Sequence, residues 1–446
     1  MAVLGPRLVV AGTHSGVGKT TVATGVMAAL RARGVRVASA KVGPDFIDPG
    51  YHAAATGRAP RNLDAWICGE AAMAPLAARA ADGADVLVVE GVMGLFDGAA
   101  DGAPASTADI ARLIEAPVVL VVDAAAMSGS VAAVVHGFAT FDPAVAVAGV
   151  VLNRVGGDGH EAVLREALAA TGVPVLGSLR RDPELRWRDR HLGLVPVVEQ
   201  PDDVRRSLDR LAAAVERHCD IEALVAVAGS APRRHTGSPA AAHPRGRARV
   251  AVADGAAFSF SYQDNLEALE QAGAELVPFD PLSDPALPDA VGGVVAGGGF
   301  PEVFAGALAA NRPLLADVRR RVGAGLVVWA ECGGLLWLAR SLDGHALCGA
   351  VPADGRTTAR LHLGYRTALV RTDTPVAPAG AELRGHEFRY STLEPPGDAL
   401  ELRGRFGGGP GGFASPTVLA SYLHLHLGGD PTPAERFVAT ASRAVE

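Results

Sequence analysis

Residues 13–21, taken with the apolar run before them, restrict the start of this chain to one kind of folding unit. The segment RLVVAGTHSGVGKTTVATGVMAALRARG passes from a β-branched run through a glycine-rich turn into a helical pattern opening at Lys19-Thr20-Thr21. Strand, loop and helix in that order are what a phosphate-binding loop requires. Gly16 and Gly18 let the backbone curl so that successive N–H groups face one phosphate chain, and the helix start adds its positive end. Lys19 is placed to reach β- and γ-phosphates, the Thr20 hydroxyl to hold Mg²⁺, and Thr21 completes the nucleotide-binding stretch. Thr13 stands where G-x-x-x-x-G-K-[ST] has its first glycine, with Gly12 one place earlier, the variant form GT-x-x-x-VGKT.

Continuous apolar runs at 35–40, 85–90, 117–123, 147–153 and 173–177 alternate with helical patterns. Such runs are buried on both faces, which predicts a doubly wound α/β domain with a mostly parallel sheet and its ligand beyond the strand ends. The polar residues gather there. Glu90 closes a strand, where a carboxylate ligates Mg²⁺. Asp45 and Asp48, in a loop stiffened by Pro44 and Pro49, suit metal binding or the orientation of a substrate acid. Asn153 ends a late strand and is a candidate for reading the adenine edge, while Asp123 is a strand-end acid. The stretch NLDAW (Asn62, Asp64, Trp66) is conspicuous without an evident chemistry, and RRDPELRW at 180–187 would suit a flat polyanion.

Composition narrows the classes. A net charge of −7 with no basic block argues against a nucleic-acid partner. No apolar run approaches the ~18 residues of a membrane span, and the short N-terminal run leads straight into the phosphate loop, unlike a signal peptide. Cys68, Cys219, Cys332 and Cys348 form no CxxC pair and no zinc set, so a reducing cytoplasm is expected.

Near residue 229 the periodicity stops. SAPRRHTGSPAAAHPRGR reads as a linker, giving domains at 1–228 and 248–446 with the linker at 229–247. In the second α/β unit, LVVWAECGGLLWLAR puts Cys332 on a tight strand-to-helix turn beside Gly333 and Gly334. That position exposes a cysteine and activates it as a nucleophile. VLASYLHLHLGGD places His424 and His426 two apart on a strand, hence on one face, where one of them can meet Cys332 as its base. The triple glycine at 297–299 offers N–H groups for an oxyanion.

Together these motifs resemble a known family. GTHSGVGKTT, KVGPDFIDPGYH, NLDAW and EGVMGLFDG are similar to the ATP-dependent half of the cobyrinic and hydrogenobyrinic acid a,c-diamide synthases, a dethiobiotin-synthetase-like P-loop fold. The AECGG turn and late histidine resemble a class I glutamine amidotransferase, a flavodoxin-like α/β fold. The resemblance implies amidation of a corrinoid's a- and c-acetate carboxylates in cobalamin biosynthesis, with ATP, glutamine and Mg²⁺. It further implies Cys332 as nucleophile, His424 as its base, and His426 in place of the acid that ends the usual F-H-P-E. Gly298 and Gly299 fall on the oxyanion loop, Lys19, Thr20 and Glu90 on ATP–Mg²⁺ positions, and Asp45 and Asp48 near the transferring phosphate. Arg389, in RGHEFRYST, belongs to the same pattern.

Cobyric acid synthase and nickel-sirohydrochlorin a,c-diamide synthase share both modules. KVGPDFIDPGYH favours the a,c-diamide type, and a GC-rich composition tilts toward the metal-free substrate. A nucleotide-switch ATPase fused to an inert amidotransferase is the non-enzyme alternative, and it expects a degraded elbow. A sheltered path for ammonia is expected on chemical grounds, and a homodimer is one option the sequence leaves open.

Overall fold

The structure, a computed structural model, describes residues 2–99, 102–185, 187, 189–190, 193–194, 196–405 and 407–444. It divides into two compact units, Met1–Pro239 and Ala240–Glu446. The stretch 229–247 is shared between them: Arg234–Thr236 pairs antiparallel with Ala2–Leu4 inside the first unit.

The first unit is built on a seven-stranded sheet. Its strands are β1 (Arg7–Gly12), β2 (Val37–Val42), β3 (Arg61–Leu63), β4 (Val86–Glu90), β5 (Val118–Asp123), β6 (Val147–Val155) and β7 (Val175–Arg180). Their spatial order is β3-β2-β4-β1-β5-β6-β7, parallel throughout. Every residue of β1, β2 and β4 is buried, which is why these strands read as largely apolar runs. The helix Lys19–Ala32 covers one face, and Pro201–His218 packs on it through Val204, Leu208, Leu211 and Val215. That spacing of four, three and four is one helical stripe, each side chain contributing roughly 1.5–3 kcal/mol by burial. The two helices approach so closely that a Cβ on Gly25 would lie 2.7 Å from Val215.

The second unit contains β8 (Ala248–Ala253), β9 (Ala274–Phe279), β10 (Gly293–Ala296) and β11 (Val327–Glu331). A long hairpin follows, β12 (Asp354–Val370) and β13 (Glu382–Glu394), then β14 (Phe413–Ser415), β15 (Val418–Ser421) and β16 (His424–Leu425). One sheet has the order β9-β8-β10-β11-β15-β14, parallel except at its β15–β14 edge. The hairpin belongs to a second sheet, where β16 pairs antiparallel with β13 at Gly385 and His386. Among the described residues no helix is long and apolar enough to cross a membrane.

Candidate active sites

In the first unit the sheet's strand ends bring the polar residues together. Gly16 and Gly18 take φ of 81° and 93°, the left-handed region that glycine adopts without penalty, and the helix begins at Lys19. A Cβ on Gly18 would sit 2.2 Å from Asn153 Nδ2, and that amide donates to Val17 O at 2.8 Å. Asn153 therefore braces the loop from the strand end where the sequence places it. Arg154 pairs with Asp123 and donates to Gly16 O at 2.8 Å, so Asp123 also serves the loop. Thr21 lies half-buried one residue further into the helix.

Four elements converge beside Lys19. Thr20 Oγ1 donates to Glu90 Oε1 at 2.7 Å and lies 3.4 Å from Asp48 Oδ2. Lys41 Nζ, at the end of β2, donates to Asp48 at 2.6 Å and to Glu90 at 2.8 Å. His52 Nε2 is 2.6 Å from the other Glu90 oxygen, both side chains being fully buried. Asp48 and His52 open successive turns of the helix Asp48–Thr56 and so share a face. Asp45 turns its carboxylate to the N–H groups of Ile47 and Asp48, at 2.8 and 3.1 Å. Asn62 holds the same loop through the carbonyls of Gly43 and Asp45, and Asp64 caps the helix Ala65–Cys68. These contacts account for most of NLDAW. The segment 180–187 is committed otherwise: Arg180 pairs with Asp158 and Glu161, and Trp187 packs edge-on against Tyr51. Arg186 of that segment lies outside the described residues.

Charge at this centre is balanced by contact. Burial pushes the Glu90 carboxyl up, but Lys41 and His52 outweigh it and hold it below the usual carboxylate range. Burial and then the charge of Asp45 raise Asp48, with Lys41 opposing them only in part. Lys41 stays above its ordinary value because Asp48 and Glu90 outweigh its burial. Burial, reinforced by the Lys41 cation, lowers Lys19 to about 8. Thr20, Asp48 and Glu90 make a hydroxyl-and-carboxylate oxygen set of the kind that suits Mg²⁺.

In the second unit Cys332 leaves β11 with φ 48° and ψ −95° and caps the helix Gly333–Leu338. A non-glycine residue held there costs about 1–3 kcal/mol, and such strain gathers at working sites. The elbow is less open than its sequence suggests: Cys332 is only 7% exposed, with Sγ 3.7 Å from Phe388 O. Gly334 is required by contact, since a Cβ would lie 2.2 Å from Ala296 O. The buried His424 hydrogen-bonds Cys332, and its Nδ1 is 3.4 Å from Glu331 Oε2. Burial pushes this imidazole down, but the bonds to Cys332 and Glu331 outweigh that and raise it to about 10.

His426 does not stand where the family pattern places the acid. Strand β16 ends at Leu425, and His426 turns to Asp264 at 3.8 Å and to the Tyr262 ring at 4.4 Å. The oxyanion loop is also corrected in part. Gly298 donates its N–H to Phe260 O at 3.0 Å, so its contribution is steric: a Cβ there would lie 2.6 Å from His424 Cε1. Gly299 lies against Gly333, its nitrogen 3.1 Å from where a Gly333 Cβ would be. Arg389 stacks 4.0 Å over Tyr422 and meets Glu387 at 3.3 Å, while Glu387 also holds the buried Arg366 at 2.7 Å.

Residues 8–195 match the CobQ/CobB/MinD/ParA nucleotide binding domain, and residues 249–432 match the CobB/CobQ-like glutamine amidotransferase domain. The hydrogenobyrinate a,c-diamide synthase of Streptomyces coelicolor is 49% identical, the match covering 97% of each chain. The enzyme of the same name from Thermobifida fusca is 47% identical over 98% of this chain and 97% of its own. The cobyrinate a,c-diamide synthase of Syntrophotalea carbinolica is 43% identical over 97% of this chain and 98% of its own. The chain belongs to the cobyrinate and hydrogenobyrinate a,c-diamide synthase family.

Three residues of this family member's centres escape a reading by motif: Lys41, His52 and Glu331. Lys41 and His52 both lie in KVGPDFIDPGYH, and a lysine within a fully buried strand was the available signal. Glu331 is hidden by adjacency, because neighbours in a strand normally point to opposite faces.

Proposed function

We propose that this chain catalyses ATP- and glutamine-dependent amidation of the a- and c-acetate carboxylates of a corrin precursor, with hydrogenobyrinic acid as its substrate. The observation that carries this reading is the presence on one chain of two separately built centres, Lys19–Thr20–Glu90 and Cys332–His424. The names of the relatives at 47–49% identity support the choice of corrin.

A carboxylate does not react with ammonia, so it must first become a better electrophile. A substrate carboxylate oxygen attacks the γ-phosphorus of ATP, ADP leaves, and an acyl phosphate forms. Lys19 meets the phosphates, whose negative charge favours its ammonium form, while Lys41 keeps Asp48 and Glu90 neutralised in the buried centre. Thr20, Asp48 and Glu90 would hold Mg²⁺, which when bound supplies charge neutralisation across the phosphates. Ammonia adds to the acyl carbon, inorganic phosphate departs, and loss of a proton leaves the amide.

At the other centre Cys332 Sγ attacks the glutamine carboxamide carbon. The C–N bond breaks, a γ-glutamyl thioester forms, and His424 passes the thiol's proton to the departing nitrogen. Gly299 and the N–H that follows the nucleophile stabilise the oxyanion. Water then releases glutamate.

The test offers hydrogenobyrinic acid and cobyrinic acid side by side with glutamine and Mg·ATP, and products are read by mass spectrometry. Diamide from hydrogenobyrinic acid, with Cys332→Ala active only on added ammonium, is the expected result. Hydrolysis of ATP and glutamine with neither corrin altered would overturn the substrate, and nickel-sirohydrochlorin would be tried next. A wild type without glutaminase activity would favour the nucleotide-switch alternative.

A further inference from the structure

We propose that Glu331, the residue immediately before the nucleophile, is the positioning acid of a Cys332–His424–Glu331 triad. The proposal rests on the glutaminase reading given above. The family pattern puts the acid two residues after the histidine, yet His426 is engaged elsewhere. Its Nε2 faces Asp264, its Nδ1 accepts from Gly428 N–H at 3.1 Å, and its ring lies beside Tyr262.

The Glu331 carboxylate is fixed by two donors on one oxygen. Trp329 Nε1 donates to Oε1 at 3.0 Å, and Leu425 N–H donates to it at 3.1 Å. Oε2 is thereby directed to His424 Nδ1, 3.4 Å away. That contact is longer than a tight hydrogen bond, as catalytic contacts often are before substrate binds. The bond to Leu425 matters most, because it ties the carboxylate to the backbone that carries His424. Consecutive residues reach one imidazole because Cys332 breaks the strand at φ 48°.

The groups around His424 are consistent with this role. Cys332 and Glu331 face it from β11 and the elbow, and His386 stacks on it from β13, centroids 4.9 Å apart and planes 17° apart. The uncharged Gly298 closes the loop side. His386 is held neutral, its burial and then the neighbouring histidines pushing it well below its ordinary value, and Tyr262 Oη sits 2.9 Å from its Nε2. Further out, Tyr422 lies within electrostatic reach of Arg389, Cys332 and Glu387. Glu331 is thus a carboxylate within ion-pair range of His424, at 3.4 Å. In the reaction it orients the imidazole through Nδ1, so that Nε2 holds the proton shared with the thiol and passes it to the departing nitrogen. Glu331 itself gains and loses none.

Glu331→Gln tests this. The amide oxygen can still accept from Trp329 and Leu425, while the amide N–H presented to Nδ1 forces the imidazole proton onto Nε2. Glutaminase kcat at neutral pH should fall on the order of ten-thousandfold, as when a triad acid becomes its amide. KM for glutamine should hardly move, activity should climb with pH, and ammonium-dependent amidation should persist. A kcat within about threefold of wild type overturns the proposal. Because this variant's fold is itself at risk, the wild type carries a second arm. A downfield imidazole N–H proton resonance should vanish in His424→Asn and survive in His426→Asn, and the reverse result overturns the proposal. This arm needs no substrate, so it stands apart from any failure of the glutaminase reading.

Discussion

Lys41 is the residue on which the ATP centre depends electrostatically, since two buried carboxylates share its one ammonium. Replacing one partner of a buried ion pair strands the other charges, at about 3–5 kcal/mol. Lys41→Met should therefore lose stability of that order in urea unfolding near neutral pH. Glu90 is held below its usual range, so its stabilising contribution is present above its unfolded value of 4.5 and is lost as pH falls through its folded value. Without Lys41 that contribution shrinks, and the deficit should narrow as the medium is acidified into the carboxylate range. A deficit that is unchanged on acidification would argue against the charge account. His424 behaves with the opposite sign. Raised from 6.5 to about 10, it stabilises fully below 6.5 and loses that contribution as pH rises through about 10. Wild type should lose more stability than His424→Gln across that alkaline window, measured in the same unfolding series.

Among elements, the phosphate loop shows how a motif is supported by residues it does not contain. Gly18 combines a φ of 93° with a virtual Cβ 2.2 Å from Asn153, whose amide in turn holds Val17. Gly18→Ala should cost about 1–3 kcal/mol from backbone conformation alone and displace Asn153, abolishing ATP binding while glutaminase activity survives. Calorimetric titration with ATP would show it, and retained affinity would contradict the role given to the loop. The longer strands of the first sheet are legible in sequence because burial on both faces writes them as largely apolar runs. The short edge strand Arg61–Leu63 is not, since its three residues carry no period. The hairpin Asp354–Val370 with Glu382–Glu394 is equally hidden. Its first strand has few buried positions and a bulge between Thr357 and His362, so no sustained alternation survives. Lys19, Thr20, Asp48 and Glu90 are readable as a site because each sits at a strand end or helix start. Glu331 is not, because its meeting with His424 depends on a broken strand and on the N–H of Leu425, 94 positions away.

At the scale of the whole molecule, two chemistries have to be joined by a molecule that is useless once protonated. In the proposed mechanism the Cys332 centre makes ammonia and an acyl phosphate formed beside Lys19 consumes it, so ammonia released to neutral water would be diluted and converted mostly to ammonium. A sheltered transfer of ammonia is the coupling that this proposed chemistry calls for. It predicts a specific isotope pattern. With amide-¹⁵N glutamine and unlabelled ammonium present together, the a- and c-amides should carry the glutamine nitrogen, and added ammonium should dilute the label little. Cys332→Ala should take up only the unlabelled nitrogen, which shows that the synthetase centre remains competent for external ammonia. Glu331→Gln, with slowed glutaminase, should shift the product toward the unlabelled pool in proportion to its lost kcat. Equal dilution of label in wild type and in solution would mean that ammonia equilibrates with the medium before it is used. The two centres would then be linked by covalent connection alone, with no protected route between them.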